Sequence, residues 1–316
     1  MGKYNGADYQ KNIEKQHSES VLTEEREYWW NEDYLELLSK RLNFDQCQKV
    51  ADIGCGIGTM SFALSKFFPE NTVIKGMDFE KGHIKKARQK SKKKSREHGN
   101  EFHFVEGDAM DIPFETDEMD LTFCQTLLIH VDQPTHVLEE MKRVTKNDGW
   151  IVAIEPNNLV HSLMFDNYAQ THFDIDDMMK IIEVRLRCEK GKRKLGLGFN
   201  SLGDALPDLF TQVGLEDIQV WISDKALSCI PPYDTREKRV RVAQLIDWLE
   251  TGGGGGFNYD RDLWYFKAGG GKKADFDIYW NYVMMYKEKL LKQLIEQKYI
   301  SAGGSLMYIV AGRVSK

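Results

Sequence analysis

The feature that most constrains the fold is the stretch VADIGCGIGTM at residues 50–60. A short apolar run ends in Asp52, and three glycines follow at alternate positions, Gly54, Gly56 and Gly58. Glycines at such a turn let the backbone lie close to a ligand at the N-terminus of the following helix. The stretch therefore predicts a strand, a nucleotide-binding loop and a helix.

Strand-like segments alternate with helical segments after this loop. The alternation predicts parallel βαβ units, which bind ligands at the carboxyl ends of their strands. We predict an α/β fold with a Rossmann-like, doubly wound, mostly parallel seven-stranded sheet and a helical cap. The predicted strands are KVADI, TVIKGMD, EFHFVEGD, EMDLTFCQ, GWIVAIEP, EDIQVWISD and SLMYIVAGRV.

Two long segments with a helical pattern interrupt the alternation, and we interpret them as additions to the core. The later one is predicted to cap the ligand site. The glycines of TGGGGGF are interpreted either as a flexible connection or as a hinge at Gly252–Gly256 for a moving lid. The predicted division is an N-terminal helical cap segment at 1–45, a core at 46–156, 200–225 and 304–316, and helical lid insertions at 157–199 and 226–303.

Composition excludes several classes of protein. A net charge of −6 argues against a general nucleic-acid binder, and the basic run KKARQKSKKKSR is interpreted as a solvated helix face. The five cysteines are odd in number and form no CxxC pair, so we expect reduced thiols, a cytoplasmic protein and no metal site. No apolar run approaches the length that crosses a bilayer, so no membrane partner is expected.

The loop spacing indicates the kind of nucleotide. A dinucleotide loop has the pattern GxGxxG, whereas here the third glycine comes one residue early. Asp52, just before the loop, would repel a pyrophosphate but could accept hydrogen bonds from a cationic amine. The pattern therefore favours a ligand that carries an ammonium group over a dinucleotide.

The stretch VADIGCGIGT resembles the first motif of the class I S-adenosylmethionine-dependent methyltransferases. The resemblance covers roughly residues 46–156, with a weaker match at 200–224, and the helical additions resemble a bacterial, small-molecule-type branch that indicates no particular acceptor. Later segments resemble further motifs of the family in order: VIKGMDF, FVEGDAMDIPF, DLTFCQTLLIHVDQP and NDGWIVAIEPN.

The resemblance implies S-adenosylmethionine as the cofactor and S-adenosylhomocysteine as its product. It implies that Asp52 lies near the methionine amino group and that Asp78 binds the ribose hydroxyls. The other implied neighbours of the cofactor are Gly54, Cys55, Gly56 and Gly58 along the methionine part, Phe79, Asp108 and Ala109 around the adenine, and Gln125 at the substrate mouth.

Three further residues are candidates on chemical grounds. Arg26 could pair with the methionine carboxylate, and Tyr28 could contact a cation through its ring. His130 is the best candidate for a general base, because its ordinary pKa suits proton removal near neutral pH. The alternatives remain that the aromatic residues of EREYWW anchor the N-terminal segment and that His130 packs or caps a helix.

Three functions remain open from the sequence. The first is methyl transfer to an O, N or C atom of a small molecule, which the acidic composition favours and which predicts no nucleic-acid partner. The second is methylation of a protein or RNA. The third is an inactive subunit that only binds the cofactor.

Overall fold

The structure, a computed structural model, describes residues 22–163, 166–252, 258–304 and 306–316. The first 21 residues of the predicted N-terminal cap segment and residues 253–256 of the predicted hinge lie outside these ranges. No helix in the described ranges is long and apolar enough to span a membrane.

A seven-stranded sheet confirms the predicted α/β architecture. The strand order is β3-β2-β1-β4-β5-β7-β6; the pairs among β1 to β5 are parallel, and β7 lies antiparallel between β5 and β6. The order reverses between β1 and β4, and such a switch point opens a crevice at the strands' carboxyl ends. The strands are β1 (Lys49–Ile53), β2 (Val73–Asp78), β3 (Glu101–Glu106), β4 (Met119–Gln125), β5 (Thr145–Pro156), β6 (Leu215–Ile222) and β7 (Met307–Val314).

Helices follow most of the strands and fill the segments that carried a helical pattern. The helix after β2 ends at Gly99, whose φ of 70° is the left-handed conformation that favours glycine at a helix end. The helices are α1 (Glu32–Arg41), α2 (Thr59–Leu64), α3 (Lys81–His98), α4 (Pro134–Val144), α5 (Asn158–Leu163), α6 (Asn167–His172), α7 (Ile175–Lys194), α8 (Leu206–Gln212), α9 (Arg236–Thr251), α10 (Tyr259–Ala268) and α11 (Lys273–Ile295).

The chain divides into two compact units. The sheet unit comprises Trp30–Asn158, Leu197–Lys225 and Ser305–Lys316, and the helical unit comprises Met1–Trp29, Leu159–Gly196 and Ala226–Gly304. The predicted N-terminal segment 1–45 is thus shared between the units, because α1 packs with the sheet through Leu35 and Leu38.

Each unit has its own apolar core. In the sheet unit, successive residues of one strand point to opposite faces: Val50 packs in one cluster with α1 and α2, and Ala51 packs in another with α4 and α8. In the helical unit, Phe276 and Val283 of α11 pack with Phe266 of α10 and with α7. The sheet unit therefore carries the strand ends at which the sequence places its candidate residues.

Candidate functional site

The glycine loop joins β1 to α2 in left-handed backbone conformation. Gly54, Gly56 and Gly58 have φ values of 72°, 55° and 82°. A Cβ atom at Gly54 would lie 2.8 Å from Leu127 Cδ1, and one at Gly58 would lie 2.8 Å from Phe62 Cε2. At Gly54 and Gly58 both conformation and space therefore require glycine.

Asp78 at the end of β2 ties this loop to the neighbouring strand. One carboxylate oxygen accepts the Gly56 amide at 2.8 Å, and the other accepts the Glu80 amide at 2.9 Å. His83 Nδ1 of α3 lies 3.0 Å from that second oxygen, and its side chain is buried. The sequence indicated Asp78 but not His83, whose contact depends on the helix turning back over the strand end.

Asp52 lies beneath the loop and is 1% exposed. Its carboxylate accepts a hydrogen bond from Ser61 Oγ of α2 at 2.5 Å. Burial raises the pKa of Asp52 to about 7, and the negative charge of Asp78 adds to that rise, whereas the Ser61 hydrogen bond opposes it. Ser61 was not singled out from the sequence; its position nine residues after Asp52 is the only signal for it.

The chain turns sharply after β4. Gln125 is the last residue of the strand, Thr126 has a φ of 52°, and the Leu127 and Leu128 amides donate to Glu155 Oε1 at 2.9 and 2.7 Å. The Glu155 carboxyl is fully buried and holds the turn that places Leu127 against Gly54.

His130 ends the short 3-10 helix that follows this turn, and it is exposed. The chain at 197–198 passes close by, since a Cβ atom at Gly198 would lie 2.2 Å from the Ile129 carbonyl oxygen. The structure therefore places His130 at the β4 end of the sheet, and its role as a base stays a prediction.

The predicted adenine neighbours lie at the ends of β2 and β3, two strands paired through Asp78 and Glu106. Phe79 is 73% exposed, which is unusual for a large apolar ring. Asp108 is exposed and accepts the Met110 amide at 2.9 Å, and Ala109 packs against the sheet unit's core. The structure thus brings these residues to the same edge as the glycine loop.

Arg26 and Tyr28 belong to the helical unit, on the 3-10 helix Glu24–Tyr28. The Arg26 guanidinium lies 4.7 Å from the centre of the Trp29 ring. Glu25 accepts hydrogen bonds from Trp29 Nε1 and from Arg241 Nη1. The expected contacts of Arg26 and Tyr28 with the cofactor stay predictions.

Cys55 and Cys124 are buried thiols that stay protonated at neutral pH. Burial raises the pKa values of Cys55 and Cys124 well above the usual range of a thiol. Among the residues that the structure describes, no three His, Cys, Asp or Glu side chains are grouped to hold a metal ion. Cys55 therefore lines the loop as a small apolar side chain.

Comparisons with known proteins agree with this geometry. The family described as "Methyltransferase domain" matches residues 51–153. The demethylmenaquinone methyltransferase of Oceanobacillus iheyensis is 32% identical over 136 residues, which are 43% of this chain and 54% of that protein.

Residues 51–153 form a methyltransferase domain of the class I, S-adenosylmethionine-dependent family. The demethylmenaquinone methyltransferase of Anoxybacillus flavithermus is 26% identical over 204 residues, 64% of this chain and 82% of that protein. The YcgJ protein of Bacillus subtilis, a solved structure, aligns over 90% of this chain and 100% of its own, with 16% identity and a TM-score of 0.46. The chain spans about half, 54%, of the Oceanobacillus relative, so the activity of the whole chain is a proposal.

S-adenosylmethionine is the cofactor of this family, and the methyltransferase domain offers groups that fit it. Asp78 ends β2, where its carboxylate can accept hydrogen bonds from ribose hydroxyls, and the exposed Phe79 ring beside it offers an apolar face to an adenine. Thr59 Oγ1, directly after the loop, is buried and has no hydrogen-bond partner among the described residues. A buried hydroxyl without a hydrogen-bond partner destabilises the fold unless a ligand or a water molecule forms a hydrogen bond with it.

Proposed function

We propose that this chain transfers the methyl group of S-adenosylmethionine to an O, N or C atom of a small-molecule acceptor. The observation that carries the proposal is the hydrogen bond from the Gly56 amide to Asp78. This hydrogen bond joins two parts of the site. By resemblance to the family, the glycine loop lies along the methionine part of the cofactor and Asp78 binds its ribose. The fixed loop would hold the methyl group in one orientation toward an acceptor.

The bound cofactor supplies a methyl group on a positively charged sulfur, which is already a strong electrophile. The protein's part is to align the acceptor with that methyl group and to exclude water, and alignment alone supplies much of the rate of such a reaction. Asp78 would orient the ribose, and Phe79 would cover one face of the adenine. Where the acceptor carries a proton, His130 is the proposed group that removes it.

Two observations support a small acceptor. The relatives with matching sequence are named for demethylmenaquinone, a small molecule, and the chain carries a net charge of −6, which disfavours RNA. A cytoplasmic location is part of the proposal, because the five cysteines are free thiols, as expected in a reducing compartment. The proposed role of residues 157–199 and 226–303 is to form a lid over the acceptor.

Size fractionation of labelled products tests the acceptor class. The full chain is incubated with S-adenosylmethionine labelled in its methyl group and with a cell extract, and small molecules are then separated from protein and RNA. We expect label in the small-molecule fraction that depends on the enzyme and is strongly reduced by Asp78→Ala but not by Asp45→Ala, an exposed acid at the opposite end of β1. Label confined to protein or RNA would contradict a small acceptor, and no transfer to any fraction would contradict the activity.

A further inference from the structure

A groove on the sheet unit lies between α3 and the end of the edge strand β3, and none of the residues that line it belongs to the glycine loop. Its volume is about 340 Å³. Lys81, Lys85, Arg88 and Lys92 line it from α3, with Glu106 at the end of β3 as the acid in the lining. The four cations recur at helical spacing, so one face of α3 presents them in a row along the groove.

The cations that line this groove outnumber its acids, with four cations against Glu106. Lys93 and Lys94, on the same helix, lie 3.6 and 2.8 Å from the carboxylate oxygens of Glu97. Lys81, Lys85 and Lys92 form no ion pair with any residue that the structure describes. Like charges in a row repel one another, so a ligand that neutralises them binds with a favourable Coulomb term.

The groove also has fixed parts that surface lysines alone would lack. Ile84 is buried against Phe104 in the core beneath α3. Arg88 Nε donates to the Phe104 carbonyl oxygen at 2.8 Å, which holds one edge of the guanidinium and so fixes the plane of its other N–H groups. A planar, oriented guanidinium suits phosphate or carboxylate oxygens, and flexible lysines on either side can follow a ligand of varied shape.

We propose that this groove binds a compact polyanion, a small molecule with two or more phosphate or carboxylate groups. Its concave shape and its volume suit a small ligand, and its charge is local, since the whole chain is acidic. This site uses none of the residues assigned to the cofactor, so it stands independently of the proposed methyl transfer. The basic run is thus a binding face as well as a solvated one.

Titration calorimetry of the full chain at an ionic strength of about 0.15 M, where charges more than about 8 Å apart are largely screened, tests the proposal, with inorganic tripolyphosphate as the phosphate probe and citrate as the carboxylate probe. We expect saturable binding of at least one probe. Lys85→Glu and Lys92→Glu should each weaken it by roughly tenfold or more, because each loses a charged hydrogen bond. Lys86→Glu is the matched control, since Lys86 is exposed on the same helix but does not line the groove.

The affinities of the variants for the probe distinguish a binding site in the groove from a general attraction of anions to a basic helix. Lys86→Glu should change the affinity by less than about twofold, because its charge lies outside the groove and is screened by solvent. Saturable binding by neither probe would overturn the proposal. An equal loss of affinity in Lys86→Glu and Lys85→Glu would overturn it as well.

Discussion

Asp52 is a buried carboxyl group whose pKa, about 7, lies close to neutral pH. Its burial makes the charged form costly, and the hydrogen bond from Ser61 offsets only part of that cost. A cationic ligand above it would favour the charged form, because an opposite charge lowers the pKa of an acid. This residue therefore links the stability of the loop to pH and to the charge of whatever the loop binds.

Asp52→Asn should remove a pH dependence of stability. The pKa of Asp52 in the folded protein is about 7, above that of an unfolded aspartate, so the folded state keeps a proton that the unfolded state releases. The contribution of Asp52 to the free energy of unfolding therefore falls as the pH rises from about 4 to about 7, by up to about 1.4 kcal/mol per pH unit.

Urea unfolding of the ligand-free protein at pH 5, 6, 7 and 8 measures this effect. The free energy of unfolding of Asp52→Asn, relative to the native sequence, should rise up to about pH 7 and then level. Asp45→Asn, at an exposed position, serves as the control and should show no such rise. A difference between Asp52→Asn and the native protein that stays constant over this range would contradict the buried, protonated state.

Some of the site residues could be predicted from the sequence, and their partners could not. Asp52 and Asp78 each end a strand-like run, and that position is visible in one segment of sequence. Ser61 and His83 act through contacts that form only when a helix folds back over the strand end. Each lies on another element, and no local pattern marks it.

At the scale of elements, the loop between β1 and α2 is fixed by packing as much as by its own conformation. Leu127, from the turn after β4, occupies the space that a side chain at Gly54 would need. That turn is held by Glu155 of β5. Three separate segments therefore determine the position of one glycine.

Gly54→Ala should destabilise the protein by about 2–4 kcal/mol, from left-handed strain and overpacking together. Gly82→Ala is the matched control: an added Cβ there meets nothing within 4 Å, and the position is helical. It should stabilise by about 0.5 kcal/mol. Urea unfolding of the two variants measures the change in the free energy of unfolding that each substitution causes. Equal changes in the two variants would show that the loop is not tightly packed.

The sequence predicts whether a segment is a helix or a strand where its apolar periodicity is strong. It predicts the first and last residues of these elements less well. The sequence places β5 at GWIVAIEP, whereas the strand begins at Thr145. Its early residues pair irregularly with β4, and Asp148 takes a φ of 61°. The contact between the Thr122 and Thr145 hydroxyls, 2.6 Å apart, helps to fix this start, and such a contact between strands leaves no trace in a local pattern.

At the scale of the whole molecule, two units with separate cores share one chain. The helical unit is assembled from three segments, and the sheet unit from three others. The sequence indicated the helical additions but not their joint core, because Phe276 and Ile181 lie far apart in the chain. The lid role of these additions stays a proposal.

Hydrogen exchange tests the proposed lid. If residues 226–303 act as a moving lid, their amides should exchange faster than those of β1, β2 and β4 in the free protein, because mobile elements open at lower free energy. Their exchange should slow when cofactor and acceptor are present. Slow exchange throughout 226–303, unchanged by ligand, would mean a rigid appendage.

Selective binding of S-adenosylmethionine tests the central claim most directly. Titration calorimetry of the full chain should show saturable binding of S-adenosylmethionine and S-adenosylhomocysteine and none of NADH. Asp78→Ala should weaken cofactor binding by about 1.5–3 kcal/mol, the range for a hydrogen bond to a charged group, and Asp45→Ala should leave it unchanged. Binding of NADH without binding of S-adenosylmethionine would contradict the claim.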